Sequence, residues 1–276
     1  MLVITAFQRS GTTALGEQLG ALPGFAYWGE VFHPEGYRGA EQAGRLRLRP
    51  AANWFRFQEE GLPAAHRSGP QSPDARLEAW RLYSRHLERL GEGRRPVIDV
   101  KYSSWRNLDA AWAPLAEPPL LLQAMKAGGA GFIHLVRENV LAQALSEVFA
   151  HESNLWHRRA GRAEVPADFR CEADIEGLLA RMRESRVGTA ALREWLTLTP
   201  HVELVYELTF DSAGDLTDGA REALAALGVT APPGAGAPVL GRMGQDPRRW
   251  LSNRAEVIQA LTDTEFEALI GSTLRG

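Results

Sequence analysis

The stretch LVITAFQRSGTT (residues 2–13) joins an apolar run to a polar turn that contains a single glycine. Its first half, residues 2–7, is rich in apolar and β-branched side chains, which predicts a buried strand. The leucines that follow recur at helical spacing as far as Leu22, where a Pro-Gly pair ends the helix. The chain is therefore predicted to begin with a strand, a tight turn through Gly11 and a helix.

The rest of the chain repeats this alternation of strands and helices. Further strands are predicted at 96–102, 130–137 and 201–207, and helices at 74–90 (with Asp74 as its cap), 118–127, 139–151, 173–198, 216–227, 253–261 and 263–271. Such alternation is typical of a three-layer α/β/α fold around a central, mainly parallel sheet. The turn after the first strand, which almost fits a P-loop, makes the expected fold P-loop-like. We expect one domain over 1–276, with an irregular or helical insertion at about 33–72 and a helical C-terminal cap at about 239–276.

The composition excludes several classes of protein. A net charge of −3 and a pI near 6.2 argue against a general nucleic-acid surface. No apolar run approaches the roughly 20 residues of a membrane span, and no signal-peptide pattern is present, so we expect a cytoplasmic protein. The one cysteine, Cys171, rules out an internal disulfide framework or a multi-cysteine zinc site.

The first turn nearly fits the phosphate-binding pattern G-x-x-x-x-G-K-[ST]. Ala6 stands for the first glycine, Gly11 for the second and Thr13 for the Ser/Thr, whereas Thr12 replaces the lysine. A strand that turns into a helix here exposes backbone N–H groups and a positive helix end, and Arg9 adds a charge. The pattern indicates an anion site without the lysine and without magnesium. An ordinary capped helix start remains the alternative.

A second motif lies in FIHLVRENVLAQALSEVFA (132–150). Arg137 ends a predicted strand, a helix begins near Asn139, and Ser146 lies two turns into that helix. Side chains placed in this way can converge on one phosphate. The alternatives are a surface arginine and a buried helix serine.

Together, QRSGTT and HLVR-x-N-x-x-x-Q-A-x-S resemble the sulfotransferases that use 3′-phosphoadenosine 5′-phosphosulfate (PAPS), most closely the bacterial carbohydrate and Nod-factor type. The resemblance implies that Arg9 lies against the 5′-phosphate and the sulfonate. It implies that Ser10, Gly11, Thr12 and Thr13 hold the 5′-phosphate, and that Arg137 and Ser146 bind the 3′-phosphate. Where that type often has a second arginine, this chain has Glu138.

A third, looser resemblance lies near the C-terminus, in GRMGQDPRRW (241–250). In the family, an R-x-G loop closes over the 3′-phosphate and the adenine. The resemblance makes Arg242 the candidate for that contact, ahead of the other basic residues of the stretch.

Catalytic candidates follow from the chemistry of sulfuryl transfer, which needs positioning, neutralisation of charge and a base for the acceptor proton. Glu30, in YWGEVFHP (27–34), is the predicted base, since the related enzymes often carry a glutamate in a comparable G-E stretch. His33 is the alternative base. Lys101, at the end of a predicted strand, is expected at the same sheet edge, where it would stabilise the leaving oxygen or orient the acceptor.

The expected activity is transfer of the sulfuryl group from PAPS to a hydroxyl of a small-molecule or carbohydrate-like acceptor, with 3′-phosphoadenosine 5′-phosphate (PAP) as product. The seven histidines lack metal-site spacing, so no metal is expected, and His134, inside an apolar strand, is interpreted as a core histidine. Two alternatives stay open: a P-loop kinase or NTPase, and a non-catalytic nucleotide-binding protein of the same fold.

Overall fold

The apolar runs of the sequence form the strands of a central parallel sheet. The computed structural model describes residues 1–34, 49–63, 72–109, 117–155, 158–159, 165–166, 168–235, 240–241 and 246–275. Its strands are β1 (Leu2–Ala6), β2 (Phe25–Tyr27), β3 (Arg95–Lys101), β4 (Gly131–Val136), β5 (Arg158–Arg159), β6 (His201–Val205) and β7 (Leu240–Gly241). Five of them pair in the order β2-β3-β1-β4-β6, and each of these pairings is parallel.

The helices connect the strands and cover the sheet. The longer ones are α1 (Thr12–Ala21), α2 (Pro73–Leu90), α3 (Leu120–Ala127), α4 (Val140–Ser153), α5 (Ile175–Leu196), α6 (Asp218–Ala225), α7 (Arg254–Leu261) and α8 (Ala268–Leu274). Short helical segments at Pro50–Ala52, Trp54–Arg56, Phe57–Gly61, Tyr102–Leu108, Tyr206–Thr209 and Pro247–Trp250 complete the described elements. β5 and β7 form a separate antiparallel pair.

Alternation along β1 explains why helices lie on both faces of the sheet. Leu2 and Ile4 pack with α1 and α6, whereas Val3 packs on the opposite face with α2, α3 and the end of α5. Successive side chains of a strand point to opposite faces, so a strand buried on both sides reads as a continuous apolar run. A third apolar cluster joins α4, the first half of α5, α7 and α8.

The predicted α/β fold with a mainly parallel sheet is confirmed, and several local predictions are corrected. The sheet includes β2, a three-residue strand too short for its alternation to be recognised in the sequence. The last long strand ends at Val205, and the next residues form a helical turn rather than more strand. Ser72, not Asp74, caps α2, because its side chain accepts a hydrogen bond from the N–H of Ala75.

This topology brings three chain segments to one edge of the sheet. β1 lies between β3 and β4, and parallel strands end on the same side. The turn after β1, the end of β3 and the residues that follow β4 therefore meet. Within the described residues, no helix combines the length and apolar character required to cross a membrane.

Candidate active site

The turn between β1 and α1 has an unusual backbone. Arg9 and Gly11 both have positive φ angles, 62° and 84°. A left-handed conformation at a residue other than glycine costs about 1–3 kcal/mol and persists only where neighbours hold it. At Gly11, a Cβ atom would also lie 2.6 Å from the ring of Tyr206, so this position needs a glycine for two reasons.

The start of α1 is left without a side-chain cap. Gly11 is the N-cap residue, and no side chain of the described residues caps the helix. The nearest capping candidate, Ser10, is turned away, because its hydroxyl donates to the carbonyl of Phe7 at 2.9 Å. The N–H groups and the positive end of α1 are thus available to an anion, which a side-chain-capped start would not allow.

Two arginines and a serine converge beside this turn. Arg9 Nε lies 3.3 Å from the hydroxyl of Ser146 on α4, and Arg137 donates to the carbonyl of Arg9 at 2.9 Å. Burial and then the positive charge of Arg137 lower the pKa of Arg9. The arrangement therefore concentrates like charge, which a bound anion would neutralise.

The positive charge of Arg137 is poorly compensated by its surroundings. Its guanidinium lies 4.8 Å from the ring centre of Tyr206, and burial lowers its pKa. Its Nε is buried without a hydrogen-bond partner. Within the described residues Arg137 forms no salt bridge, although the charge of Glu207 opposes the effect of burial on its pKa. A partly buried cation whose Nε has no partner is costly unless an anion pairs with it, so the geometry favours an external anion at Arg137.

A buried polar chain holds the strained turn in place. Gln143 of α4 donates to the carbonyl of Gln8 at 2.8 Å and to the hydroxyl of Ser10 at 2.7 Å. Its own side-chain oxygen accepts from Ser185 of α5 at 2.8 Å. The turn is thereby tied to two helices distant in the sequence. These contacts place Gln143 directly behind the turn.

On the other side of β1, the end of β3 carries a compact group of charges. The ammonium of Lys101 lies 2.8 Å from Asp99 Oδ2 and 3.4 Å from Glu30 Oε1, and it donates to the hydroxyl of Thr12. Lys101 and Asp99 are almost fully buried, whereas Glu30 is partly exposed. Two predicted catalytic residues, Glu30 and Lys101, are thus in contact at the start of α1.

A cavity of about 150 Å³ opens above this group. Its walls come from the turn after β1, the segment after β2 and the residues that end β3 and follow it. They consist of Gln8, Glu30, Phe32, His33, Pro34, Asp99, Lys101, Ser103 and Ser104. The cavity is small, most of its lining residues are polar, and Gln8 connects it to the turn after β1.

The core interpretation of His134 is confirmed. The side chain is fully buried, and its two ring nitrogens contact Tyr102 Oη at 2.6 Å and Glu203 Oε2 at 3.1 Å. Arg193 also pairs with Glu203, at 2.7 Å. Burial raises the pKa of Tyr102 to about 12, which keeps its hydroxyl protonated as part of this network.

Residues 1–208 match the family model described as Stf0 sulphotransferase, which covers well over half of the chain. The chain belongs to the Stf0 sulphotransferase family. It is also similar to a sulfotransferase from Alicyclobacillus acidocaldarius, with 16% identity, a TM-score of 0.41, and coverage of 98% of this chain and 94% of that one. A second similar structure is the sulfotransferase domain from the curacin biosynthetic pathway, with 14% identity, a TM-score of 0.44, and coverage of 98% and 82%. No curated protein matches the chain.

In this Stf0 family member, most of the predicted site residues lie together. The turn after β1, Arg137 and Ser146 form one group, and Glu30, Lys101 and the half-buried His33 line the cavity. Thr13 lies beside Tyr27. Arg242 falls outside the described residues, and no group of three or more metal-ligating side chains occurs within them.

Sequence reasoning missed the supporting residues. Gln143 lies inside the quoted Q-A-x-S motif, and Tyr206 lies where a strand had been predicted to continue. Asp99 lies inside the strand predicted at 96–102. Nothing in their spacing indicates that all three contact the same sheet edge.

Proposed function

We propose that this chain transfers the sulfuryl group of PAPS to a hydroxyl of a small-molecule or carbohydrate-like acceptor and releases PAP. The observation that carries the proposal is the convergence of Arg9, Arg137 and Ser146 beside an uncapped helix start. Membership of the sulphotransferase family supports the reaction class.

The residues present fit a nucleotide with two separate phosphate groups. The backbone and hydroxyls of residues 10–13, with Arg9, would hold the 5′-phosphate at the positive end of α1. Arg137 and Ser146 would hold the 3′-phosphate, and the buried, unpartnered Nε of Arg137 is the feature that favours an anion there. Arg242 remains the candidate for a further contact to the 3′-phosphate and the adenine.

When bound, PAPS supplies a sulfuryl group on a phosphate leaving group, so the acceptor oxygen forms the new S–O bond as the old one breaks. Glu30 lines the cavity and would take the acceptor's hydroxyl proton, while the electron pair of the broken bond stays on the phosphate oxygen. Lys101 and Arg9 would neutralise charge at the reacting centre. His33, in the same wall, remains the alternative base.

The cavity supports a small, hydroxyl-bearing acceptor group. A volume of about 150 Å³ is small for a ligand pocket. Its serine, glutamine and charged side chains offer hydrogen bonds to hydroxyls, and Phe32 offers one apolar surface. We expect the acceptor to place one such group near Glu30.

A P-loop kinase is disfavoured by the same residues. Thr12 stands in the lysine position, and Asp99, the one acidic residue of the VIDV run, is paired with Lys101 at 2.8 Å. The ammonium of Lys101 stands beside the carboxylate that a metal ion would need, and its positive charge disfavours a cation there.

Calorimetry with PAP and with ATP–magnesium tests the proposal. We expect PAP to bind without metal and more tightly than ATP–magnesium, since only PAP carries a 3′-phosphate for Arg137. A preference for ATP–magnesium would contradict the proposal. An acceptor screen with labelled PAPS then tests turnover, and PAP binding without transfer to any acceptor class would favour a non-catalytic nucleotide-binding protein.

A further inference from the structure

The lysine content of the chain singles out Lys101. Of the 31 basic residues, only two are lysines, Lys101 and Lys126, and the others are arginines. Lys126 lies in the last turn of α3, whereas Lys101 is buried at the end of β3. Because nearly all other basic residues are arginines, the lysine in this buried site indicates that a compact ammonium is needed there.

The surroundings of Lys101 explain that need. Its Nζ atom is held between carboxylates from two chain segments, with Asp99 at 2.8 Å and Glu30 at 3.4 Å. The third contact is the hydroxyl of Thr12, the first residue of α1. A planar guanidinium is larger and would not reach all three groups from the same backbone position.

The contact with Thr12 places the Lys101 ammonium beside the position where a phosphate-binding turn has its own lysine. Thr12 stands where the phosphate-binding pattern has lysine, so the turn after β1 lacks its own cation at that point. We propose that Asp99 is a positioning residue that holds the Lys101 ammonium against Thr12, so that β3 supplies the cation that the turn lacks. This inference rests on the proposed sulfuryl transfer only for its effect on turnover.

Asp99 is suited to this role by its burial. Its side chain has no exposed surface, and one carboxylate oxygen contacts Lys101 while the other has no hydrogen-bond partner among the described residues. Burial raises the pKa of Asp99, and the charge of Lys101 opposes that increase. The two side chains therefore keep each other charged, and removal of either leaves an uncompensated group.

The ionisable groups that face Lys101 come from two elements. Asp99 lies on its own strand, Glu30 follows β2, and His33 lines the same cavity. Burial lowers the pKa of Lys101, but the charges of Asp99 and then Glu30 outweigh burial, so the net pKa is raised. Loss of the Asp99 charge should lower it, and the ammonium should then lose its proton at a lower pH.

The presence of only two lysines makes this measurable without any activity assay. With selectively ¹⁵N-labelled lysine, the full chain gives two side-chain signals, and Lys126 is the internal reference. In Asp99→Asn we expect Lys101 to titrate about one pH unit or more below its wild-type position, with Lys126 unchanged. Asp99→Ser removes the same charge with a smaller side chain, should the first variant not fold.

Asp109→Asn is the matched control. Asp109 is also a buried carboxylate in an ion pair, at 2.7 Å from Arg106, but it does not line the cavity. We expect this variant to leave the titration of Lys101 unchanged. An unchanged titration in both Asp99 variants would overturn the positioning role.

Turnover with PAPS gives the second readout. We expect Asp99→Asn to lower kcat about tenfold or more, with the KM for PAPS within about twofold, because Lys101 acts on charge that develops during transfer. In a Lys101→Met background, Asp99→Asn should have no further effect on kcat. An added loss in that background would mean that Asp99 acts independently, for instance as the base itself. If the wild type does not bind PAP, the proposed function fails, whereas the lysine titration still decides the role of Asp99.

Discussion

The strands on either side of β1 both lead to a cation, and the two cations have opposite surroundings. Arg137, after β4, is partly buried beside another arginine and forms no salt bridge within the described residues, where Glu207 is the one carboxylate whose charge acts on its pKa. Lys101, at the end of β3, contacts Asp99 and Glu30. The difference indicates two roles. The first side needs an external anion, whereas the cation of the second side already has carboxylate partners and can respond to charge that develops in a reaction.

Glu30→Gln should have the largest effect, and it tests whether chemistry belongs to the β3 side. Loss of a general base typically costs about 10²–10⁴ in rate, so kcat with PAPS should fall by that factor. PAP affinity, measured by calorimetry, should stay nearly unchanged. Glu265→Gln, which alters an exposed pair with Arg183, is the control. A large loss of PAP affinity with normal turnover would show that Glu30 serves binding and not chemistry, which contradicts the role given to the β3 side.

Arg137→Ala tests the β4 side. A charged hydrogen bond contributes about 1.5–3 kcal/mol, so PAP should bind roughly 10- to 100-fold more weakly. Arg183→Ala, which removes an exposed arginine that pairs with Glu265, should bind PAP as the wild type does. Normal PAP binding by Arg137→Ala, together with weak binding by Lys101→Ala, would contradict the assignment of nucleotide binding to the β4 side.

Gln143→Leu should have a smaller effect than Arg137→Ala, and it should act on the turn after β1, where PAP is proposed to bind. The leucine is similar in size but leaves the buried hydroxyls of Ser10 and Ser185 with fewer partners. We expect a loss of about 1–3 kcal/mol in the free energy of unfolding, measured with denaturant, and about tenfold weaker PAP binding. Gln123→Leu, at an exposed position of α3, is the matched control. Loss of stability without any change in PAP binding would separate Gln143 from the site.

Glu203→Gln should have the smallest effect and should leave both sides functional. Arg193 and His134 lower the pKa of Glu203 from 4.5 to about 2. Because the folded pKa is depressed, this stabilisation is present above pH 4.5 and is lost as the pH falls toward 2. The midpoint temperature of thermal unfolding should therefore fall less between pH 6 and pH 3 in the variant than in the wild type. The difference should be small, since the Arg193 pair is half-exposed, and equal pH sensitivity of both proteins would contradict it.

The sequence was sufficient for the parts that depend on local pattern. Apolar runs, helical spacing and the residues at strand ends predicted the parallel sheet, and two quoted motifs contained Arg9, Arg137 and Ser146, which the structure brings together. Their convergence follows from topology, because β1 and β4 are neighbours and end on the same side.

The remaining features depend on tertiary contacts that no local pattern contains. The left-handed backbone of Arg9 is held by side chains from α4, and the pairing of Lys101 with Glu30 joins the end of β3 to the segment after β2, which is distant in the sequence. The strand predicted through residue 207 ends earlier because Tyr206 packs on Gly11 and Arg137. Strand and helix propensities say nothing about such contacts.

The polar chain from Ser185 through Gln143 to the turn after β1 has a consequence for the order of folding. Its hydrogen bonds join residues that are 42 and 133 positions apart, whereas α1 itself is built from local contacts. Closing such long loops is slow and comes after local structure forms. During refolding, far-ultraviolet circular dichroism should therefore recover before the ability to capture nucleotide does, and an N-terminal fragment that ends before α4 should form helix without gaining that ability.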